Sequence, residues 1–273
     1  DKIDRNVYLQ NINSCISTGK EIIVTHRLDT YLMGTLPRTH QIRIIGKSMT
    51  SETDENYIIP IDIPTIVVAG IGESCDKFSV QLAVREFLAD RCDSILQFGT
   101  KDYSELFGFL PLPEFLYLPG DISKKIISLN HYIYKEVKRT SPEVLIVGIP
   151  GGFSYMTMAE PKNFGELAFC ISNALLIDTC IFSCYGEEYT IAQINDIIKK
   201  ASGKLACTID GVHISNHRLI VDTNAVDDKV SSLTVSNDYL RFPQGTFNVF
   251  DKSSTESVLG RIYQMLVDAE DII

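Results

Sequence analysis

The feature that most constrains this chain is an apolar run that ends in a glycine turn and is followed by a lysine and a helical pattern. The predicted strand Thr65–Ala69 leads to Gly70 and Gly72, Lys77 comes next, and a helix is predicted over Phe78–Ala89. Glycines let a backbone approach a ligand closely, and a helix N-terminus offers unpaired N–H groups and a partial positive charge. The layout is typical of a loop that binds phosphate.

The spacing of this loop departs from the standard motif G-x-x-x-x-G-K-[ST]. With Lys77 as the lysine, the glycine positions hold Ile71 and Asp76, and the hydroxyl position holds Phe78. The departure favours binding of a nucleotide, ATP or GTP, or of another phosphate ligand over hydrolysis of that ligand.

Magnesium-dependent hydrolysis needs a hydroxyl just after the lysine and an acid at the end of the third strand. Phe78 and Gly148 stand at these two positions. The side chains of Ser79, Glu73 or Asp102 could compensate for them, so the sequence leaves open whether Mg²⁺ accompanies the ligand.

The composition excludes several classes of partner. The 273 residues carry a formal net charge of -10, which argues against nucleic acid because a phosphate backbone needs a basic face. No apolar run reaches the length of about 18 residues that a membrane helix needs. The seven cysteines include no CxxC pair, and free thiols in a reducing compartment are the simplest interpretation. We therefore predict a cytoplasmic protein that binds neither nucleic acid nor membrane.

The sequence before residue 61 is interpreted as part of a separate unit. A helix and two short strands are predicted ahead of a proline-containing linker, over Asp4–Thr18, Glu21–Val24, His40–Ile45 and Ile58–Pro64. A strand would normally precede the helix and cover its apolar face, so we expect an upstream part of this unit to be missing. Residues 1–60 are predicted to be the remainder of a small Rossmann-like α/β domain with its linker, and residues 61–273 the main domain.

The main domain alternates apolar strands with amphipathic helices. Strands are predicted over Thr65–Ala69, Ser94–Phe98, Glu143–Val147, Thr179–Ser183, Leu205–Ile209, Arg218–Val221 and Phe247–Phe250. Helices are predicted over Phe78–Ala89, Asp121–Thr140, Gly165–Leu176, Thr190–Ala201 with Gly203 as its cap, and Ser254–Asp268. Alternation of this kind predicts a three-layer α/β fold, with a mostly parallel sheet covered by helices on both faces.

Three loops are expected to meet at the carboxyl edge of that sheet, where open parallel sheets bind ligands. They are Gly70–Lys77, Gly99–Tyr103 and Gly148–Phe153. Lys77 and the N–H groups of residues 72–77 are predicted to hold a phosphate, and Asp102 to contact a metal or a ribose. Turn glycines and a solvated loop would account for the same residues without a ligand. The candidate ligand-binding residues are Gly70, Gly72, Glu73, Ser74, Cys75, Asp76, Lys77, Phe78, Ser79, Asp102, Gly151 and Gly152.

Cys75 carries a separate hypothesis. It stands at the predicted N-terminus of a helix, where a thiolate nucleophile is favoured, but no histidine is near it in the sequence. His213 and His217 have the spacing of a helical zinc pair, yet the segment GVHISNH has the pattern of a loop or strand. We therefore assign no catalytic role to Cys75 and no metal site to the two histidines.

The region from Thr65 to about Ser183 resembles, in its layout, the P-loop class that includes dethiobiotin synthetase and the MinD-type ATPases. Three strings resemble more specifically the clostridial peptide-maturation system proteins that occur with radical-SAM enzymes for ribosomal peptides. They are IVVAGIGESCDKFSVQLAVRE, EVLIVGIPGGF and NFGELAFCISNALLIDTCIFS. The resemblance covers most of Asn11 to Phe250. It implies a role in peptide maturation, with a precursor peptide or a radical-SAM maturase as partner, and an N-terminal part that precedes Asp1.

Three functions are therefore weighed. The first is an accessory protein of peptide natural-product biosynthesis, whose degenerate P-loop-like site binds a nucleotide or another phosphate ligand. The second is a catalytically inactive scaffold that holds the precursor peptide or the maturase. The third is a nucleotide-dependent enzyme, such as a ligase or kinase, that modifies the peptide.

Overall fold

A computed structural model of the protein describes residues 5–25, 42–46, 50–154, 165–222, 229–236 and 242–270. The N-terminal elements are α1 (Arg5–Ser17) and two parallel strands, β1 (Ile22–Val24) and β2 (Ile42–Ile44). Ile12 of α1 packs with Ile22 and Val24 in a small cluster of its own. The helix and the two strands lie where the sequence predicts them, and the domain boundary near residue 60 stays a prediction.

The rest of the chain alternates strands and helices. Its first half contains β3 (Thr65–Gly70), α2 (Lys77–Ala89), β4 (Ile95–Phe98), the 3-10 helices η1 (Asp102–Phe107) and η2 (Glu114–Tyr117), α3 (Ile122–Thr140) and β5 (Val144–Gly148). Its second half contains α4 (Glu166–Ala174), β6 (Thr179–Cys184), α5 (Ile191–Leu205), β7 (Gly211–Ile214), β8 (His217–Asp222), β9 (Lys229–Thr234), β10 (Thr246–Phe247) and α6 (Lys252–Glu270). Within these ranges, every helix is too short or too polar to serve as a membrane span.

The main sheet has six parallel strands in the order β10-β7-β6-β3-β5-β4. β3 lies in the middle and all of its residues are buried, which explains its continuous apolar run. One face of the sheet packs on α3, α4 and α5, through residues such as Leu129, Ile171 and Ile194. The other face packs on α2 and α6, through residues such as Val84 and Ile262. The predicted three-layer α/β fold is therefore confirmed.

The predicted strand Leu205–Ile209 is wrong. Leu205 is the last residue of α5, which runs through Gly203, and Ala206 caps the helix in a left-handed conformation. Ile194, Ala201 and Leu205 are buried at helical spacing, so the apolar residue belongs to the helix period rather than to a strand. The helix tolerates Gly203, whose missing side chain faces open space, and the next strand begins only at Gly211.

A two-stranded antiparallel hairpin, β8–β9, stands outside the main sheet. The sequence predicts a strand over Arg218–Val221 but not its partner β9, because KVSSLT has no apolar run to signal it. The hairpin begins three positions after Ile214, the last residue of β7, and Gly186 N donates a hydrogen bond to His217 O. It therefore starts at the carboxyl edge of the sheet. The last predicted strand, Phe247–Phe250, is shorter in the structure, where β10 covers only Thr246–Phe247.

Candidate functional site

The loop between β3 and α2 has a run of backbone N–H groups without acceptors. On its N-terminal side Ile71 N donates to Ser183 O (2.9 Å), and on its C-terminal side Val80 N donates to Asp76 O (3.0 Å). Between them, the N–H groups of residues 72–79 find no acceptor among the residues that the structure describes. We call these groups the amide nest. Free N–H groups in the turn before a helix and in its first turn form a site that favours an anion.

Asp76 replaces the glycine that precedes the lysine in the standard motif, yet it keeps a left-handed backbone. Its φ and ψ are 60° and 20°, and Ser74 has a φ of 55°. Asp tolerates this conformation better than most residues other than glycine. The nest therefore retains its turn although the motif is degenerate.

The carboxylate of Asp76 is engaged by the turn between β7 and β8, outside the nest. Its Oδ2 accepts hydrogen bonds from Ser215 Oγ (2.6 Å), Asn216 N (3.2 Å) and His217 Nδ1 (3.1 Å). The carboxylate that could have competed with a ligand for the amides is thus held by other donors. The hairpin is fixed against the loop by the same contacts.

Lys77 is buried, with only 5% of its surface exposed. Its Nζ donates to Gly72 O (2.5 Å) and to Gly151 O. Gly152 packs directly on the loop, since a Cβ there would lie 2.6 Å from Ile71 O. The structure therefore brings together the first and third of the predicted loops, and the lysine joins them.

A pocket of about 250 Å³ lies beside the nest. It is lined by residues 73–79 of the loop, by Thr100, Lys101 and Tyr103, and by His217 and Ser232 of the hairpin. Lys101 Nζ lies 3.8 Å from a carboxylate oxygen of Glu73. Asp102, which the sequence predicts to contact a metal or a ribose, is not in this lining, and its Cβ would lie 3.6 Å from a Cβ on Gly46.

Two of the candidate residues form the base of the loop. Cys75 is 1% exposed, and its Sγ donates to Gly72 O (3.1 Å). A covered thiol that already donates its proton to a carbonyl is not arranged as a nucleophile. Gly70 has no room for a side chain, because a Cβ there would lie 2.7 Å from Cys75 Sγ and 2.9 Å from Ser183 O.

The two magnesium positions of the standard site are filled by other groups. The ring of Phe78 packs edge-on against Tyr103, Phe107 and Phe109, at centroid distances of 5.3, 5.3 and 5.6 Å. Phe78 thus belongs to an aromatic cluster.

The acid position at Gly148 has no space for a carboxylate. A Cβ there would lie 2.4 Å from both Gln81 Oε1 and Thr100 Cγ2. Gln81 is held in place, since its Nε2 donates to Phe98 O (2.8 Å) and its Oε1 accepts from Thr100 N (3.0 Å). In the described parts of the chain no three His, Cys, Asp or Glu side chains cluster as metal ligands. These residues do not fit magnesium bound in the standard way.

The sequence missed the contribution of the hairpin. His217 and Ser232 line the pocket, but their approach depends on an antiparallel partner strand without an apolar signal. His217 follows the end of β7 by three positions, and ligands bind beyond the carboxyl ends of parallel strands. The position of His217 just after the end of a strand is therefore the sequence signal that could have identified it.

His213, on β7, is fully buried. Neither of its ring nitrogens has a hydrogen-bond partner in the described part of the structure. Burial lowers the pKa of His213 to about 4, and the charge of Asp76 acts in the opposite direction. His213 is therefore neutral near pH 7. It lies beside Ser183 in the parallel register of β6 and β7.

Neither a model of a known protein family nor a curated protein matches this chain. Among solved structures it is similar to a DUF1611 family protein from Anabaena variabilis, with a TM-score of 0.53 and 12% identity. The match covers 79% of this chain and 64% of that protein, so the chain spans less than two thirds of its length. At this identity the likeness shows a shared fold.

Two further solved structures are similar at lower TM-scores. A GTPase in apo form from Pyrococcus abyssi matches at 0.37 and 12% identity, over 55% of this chain and 66% of that one. A nucleotide-binding protein in complex with ADP from Archaeoglobus fulgidus matches at 0.35 and 12% identity, over 72% of this chain and 86% of that one.

Proposed function

We propose that this protein binds a phosphate-bearing ligand, a nucleotide such as ATP or GTP, with its phosphates in the amide nest. The observation that carries the proposal is the run of N–H groups at residues 72–79 without acceptors, beside the buried ammonium of Lys77. The first N–H groups of a helix have no acceptor within the helix. A phosphate group offers several acceptor oxygens and a negative charge to satisfy them.

The geometry of Lys77 supports the same ligand. An ammonium group has three donor protons, and Gly72 and Gly151 accept two hydrogen bonds from it. The third proton is available to a phosphate oxygen. A pocket of about 250 Å³ is small beside the 300–1,000 Å³ that is typical of whole-ligand sites. We therefore expect the phosphates to be enclosed and the nucleoside to extend toward solvent.

The proposal is for binding without magnesium-dependent hydrolysis. Phe78 stands at the hydroxyl position, and Gln81 and Thr100 occupy the space of an acid at position 148. A phosphate can still be held by amides and a lysine. Nucleotide turnover would therefore have to come from groups outside the standard arrangement.

Calorimetry tests this proposal directly. ATP, GTP, ADP and pyrophosphate are titrated, with and without Mg²⁺, into the wild type, Lys77→Ala and Lys200→Ala. Lys200 is an exposed lysine paired with Asp196 on α5, so it is a matched control. We expect binding to the wild type and to Lys200→Ala, and a loss of at least about tenfold in Lys77→Ala, since truncating a buried charged partner costs about 2–5 kcal/mol. Absence of binding to the wild type would reject the proposal.

The biological setting that we propose follows from the resemblance of the three sequence strings. It is the maturation of a ribosomally made peptide in the cytoplasm, with the precursor peptide or a radical-SAM maturase as partner. The free state of all seven cysteines supports a reducing compartment. Co-purification of the protein with each candidate partner, with and without ATP, tests this setting. If the protein retains neither partner, whether or not ATP is present, the result counts against this setting.

A second candidate function is a scaffold whose loop is structural. It is favoured by the carbonyl partners of Lys77 and by the clamp on Asp76, because together they hold the loop without a ligand. The exposed side chains of Tyr103 and Phe107 pack on Phe78 at the end of the loop and could contact a peptide. Capture of the precursor peptide that is equally strong in the wild type and in Lys77→Ala would favour the scaffold. Capture that needs both Lys77 and nucleotide would favour the ligand-binding protein.

A further inference from the structure

The hairpin supplies an ionisable group to the pocket that the phosphate-binding motif does not contain. His217 Nδ1 lies 3.1 Å from Asp76 Oδ2. Because a carboxylate only accepts hydrogen bonds, Nδ1 carries the proton in this contact. The neutral ring then has its lone pair on Nε2, and the tautomer is fixed by Asp76.

The other nitrogen of His217 is available for a ligand. Nε2 has no hydrogen-bond partner in the described part of the chain, and the side chain is 30% exposed. His217 lines the same pocket as Lys77 and residues 73–79. An anion in the nest would therefore lie within a space bordered by a lysine and a histidine.

We propose that His217 takes up a proton when the ligand binds and donates the resulting Nε2–H to a phosphate oxygen. This inference rests on the proposed function, and it adds a ligand-contacting residue and a pH dependence to it. Only a proton moves: it comes from solvent to the Nε2 lone pair, and no covalent bond to the ligand forms or breaks. Asp76 is the positioning residue, because it orients the ring and balances the positive charge.

The charges around His217 favour this exchange. The charged side chains on the loop and across the pocket are Asp76, Lys77, Glu73 and Lys101, and the titratable side chain of Tyr103 lies with them in the lining. Lys101 is near Glu73 (3.8 Å), and Arg218, next to His217, pairs with Glu187 (3.1 Å). Lys77 opposes a second cation in the empty pocket, while a dianion would attract both. His213 stays neutral because it is buried, so it takes no part in this exchange.

Sulfate is the main probe for the test, because its charge stays constant between pH 6 and pH 8, and ATP is the second probe. Each is titrated at pH 6, 7 and 8, in two buffers that differ in their heat of protonation. We expect the wild type to take up a fraction of a proton with sulfate and to bind it about tenfold more weakly at pH 8 than at pH 6, because binding that takes up a proton weakens as the pH rises. Binding of ATP but not of sulfate would show that a single tetrahedral dianion is not enough, and the proton uptake is then read from ATP after subtraction of its own titration.

The variants are His217→Gln and, as a matched control, His131→Gln. His131 lies on α3, where Nε2 contacts Tyr57 O (2.9 Å), away from the pocket lining. His217→Gln should bind the anion independently of pH, at the level of the wild type at pH 8, and His131→Gln should behave as the wild type. Thermal melts show whether both variants fold, and an absence of proton uptake by the wild type overturns the role of His217 even if His217→Gln does not fold.

The possible failures are distinguishable. Anion binding without proton uptake, or an unchanged pH dependence in folded His217→Gln, overturns the role of His217 and leaves the proposed function intact. If neither sulfate nor ATP binds the wild type at any pH, both proposals fail together.

Discussion

The ammonium group of Lys77 donates to the backbone carbonyl of Gly151 and so joins two loops that are far apart in the chain. Replacement of this lysine should therefore affect folding as well as ligand binding. Lys77→Met keeps the length of the side chain but leaves the carbonyls of Gly72 and Gly151 without their donor. We expect the free energy of unfolding to fall by about 1–3 kcal/mol, as measured by urea denaturation. The exposed control Lys200→Met should change it by less than about 0.5 kcal/mol, and equal effects of the two would contradict the buried role of Lys77.

Restoring the acid at position 148 should not restore a magnesium site. A Cβ at this position would lie 2.4 Å from Gln81 Oε1 and Thr100 Cγ2, so Gly148→Asp forces the buried Gln81 to move. Overpacking of this kind costs about 1–3 kcal/mol, which a thermal or urea melt would detect. Phosphate release from ATP with Mg²⁺ should stay at background. Gly148→Asp with wild-type stability, or with magnesium-dependent turnover, would show that the space is less restricted than the contacts indicate.

The role of Asp76 separates into a backbone part and a side-chain part. Asp76→Gly removes the carboxylate but suits the left-handed φ of 60°, whereas Asp76→Ala removes the carboxylate and strains the backbone. Both variants lose the hydrogen bonds from Ser215, Asn216 and His217. We expect both variants to have a lower free energy of unfolding than the wild type, and that of Asp76→Ala to be lower than that of Asp76→Gly by about 1 kcal/mol. Equal stability of the two in urea denaturation would mean that the backbone relaxes out of this conformation.

The stability of the protein should fall in mild acid because of His213. Burial lowers the pKa of His213 to about 4 in the folded protein, whereas an unfolded histidine titrates near 6.5. Between these values the unfolded chain binds a proton that the folded chain does not, so the contribution is present above pH 6.5 and is lost as the pH falls toward 4. The loss could reach about 3 kcal/mol.

A substitution isolates this contribution from that of the carboxylates. Neither ring nitrogen of His213 has a partner among the described residues, so an apolar replacement loses no hydrogen bond. His213→Leu should flatten the decrease in unfolding free energy between pH 6.5 and pH 4, measured by urea denaturation at several pH values. A slope as steep as that of the wild type would assign the acid sensitivity to other groups.

The sheet was predictable because its strands are apolar on both faces. Val67 and Val68 are completely buried on opposite sides of β3, and a short, continuous β-branched run is typical of a strand that is covered on both sides. The prediction at Leu205 failed because this apolar residue at the end of α5 is followed by Ala206 and Cys207, which continue the run. Only the packing of Ile194 and Ala201 on the core shows that the helical period extends to Leu205.

The site was predictable only in part. The order of strand, glycine turn, lysine and helix indicated the nest, and GIPGGF indicated the loop that accepts from Lys77. The side chain of Gln81 occupies the acid position from within α2, and no motif marks a residue that acts by filling space. His217 reaches the pocket through the turn after β7, and its contact with Asp76 spans 141 positions of the chain. Such a contact depends on the tertiary fold.

The left-handed backbone at Asp76 has a consequence for how this loop can change over generations. Asp and Gly codons differ at one base, and a glycine would accept the conformation that position 76 already has. One nucleotide substitution could thus return the turn residue of the common motif. The codon of an acidic residue at position 148 would also differ by one base from that of Gly148. Its side chain would fit only if Gln81 were replaced as well, because Gln81 occupies that space. A single mutation can therefore return this one turn residue, whereas the other departures from the motif, at Ile71, Phe78 and Gly148, each need a change of their own.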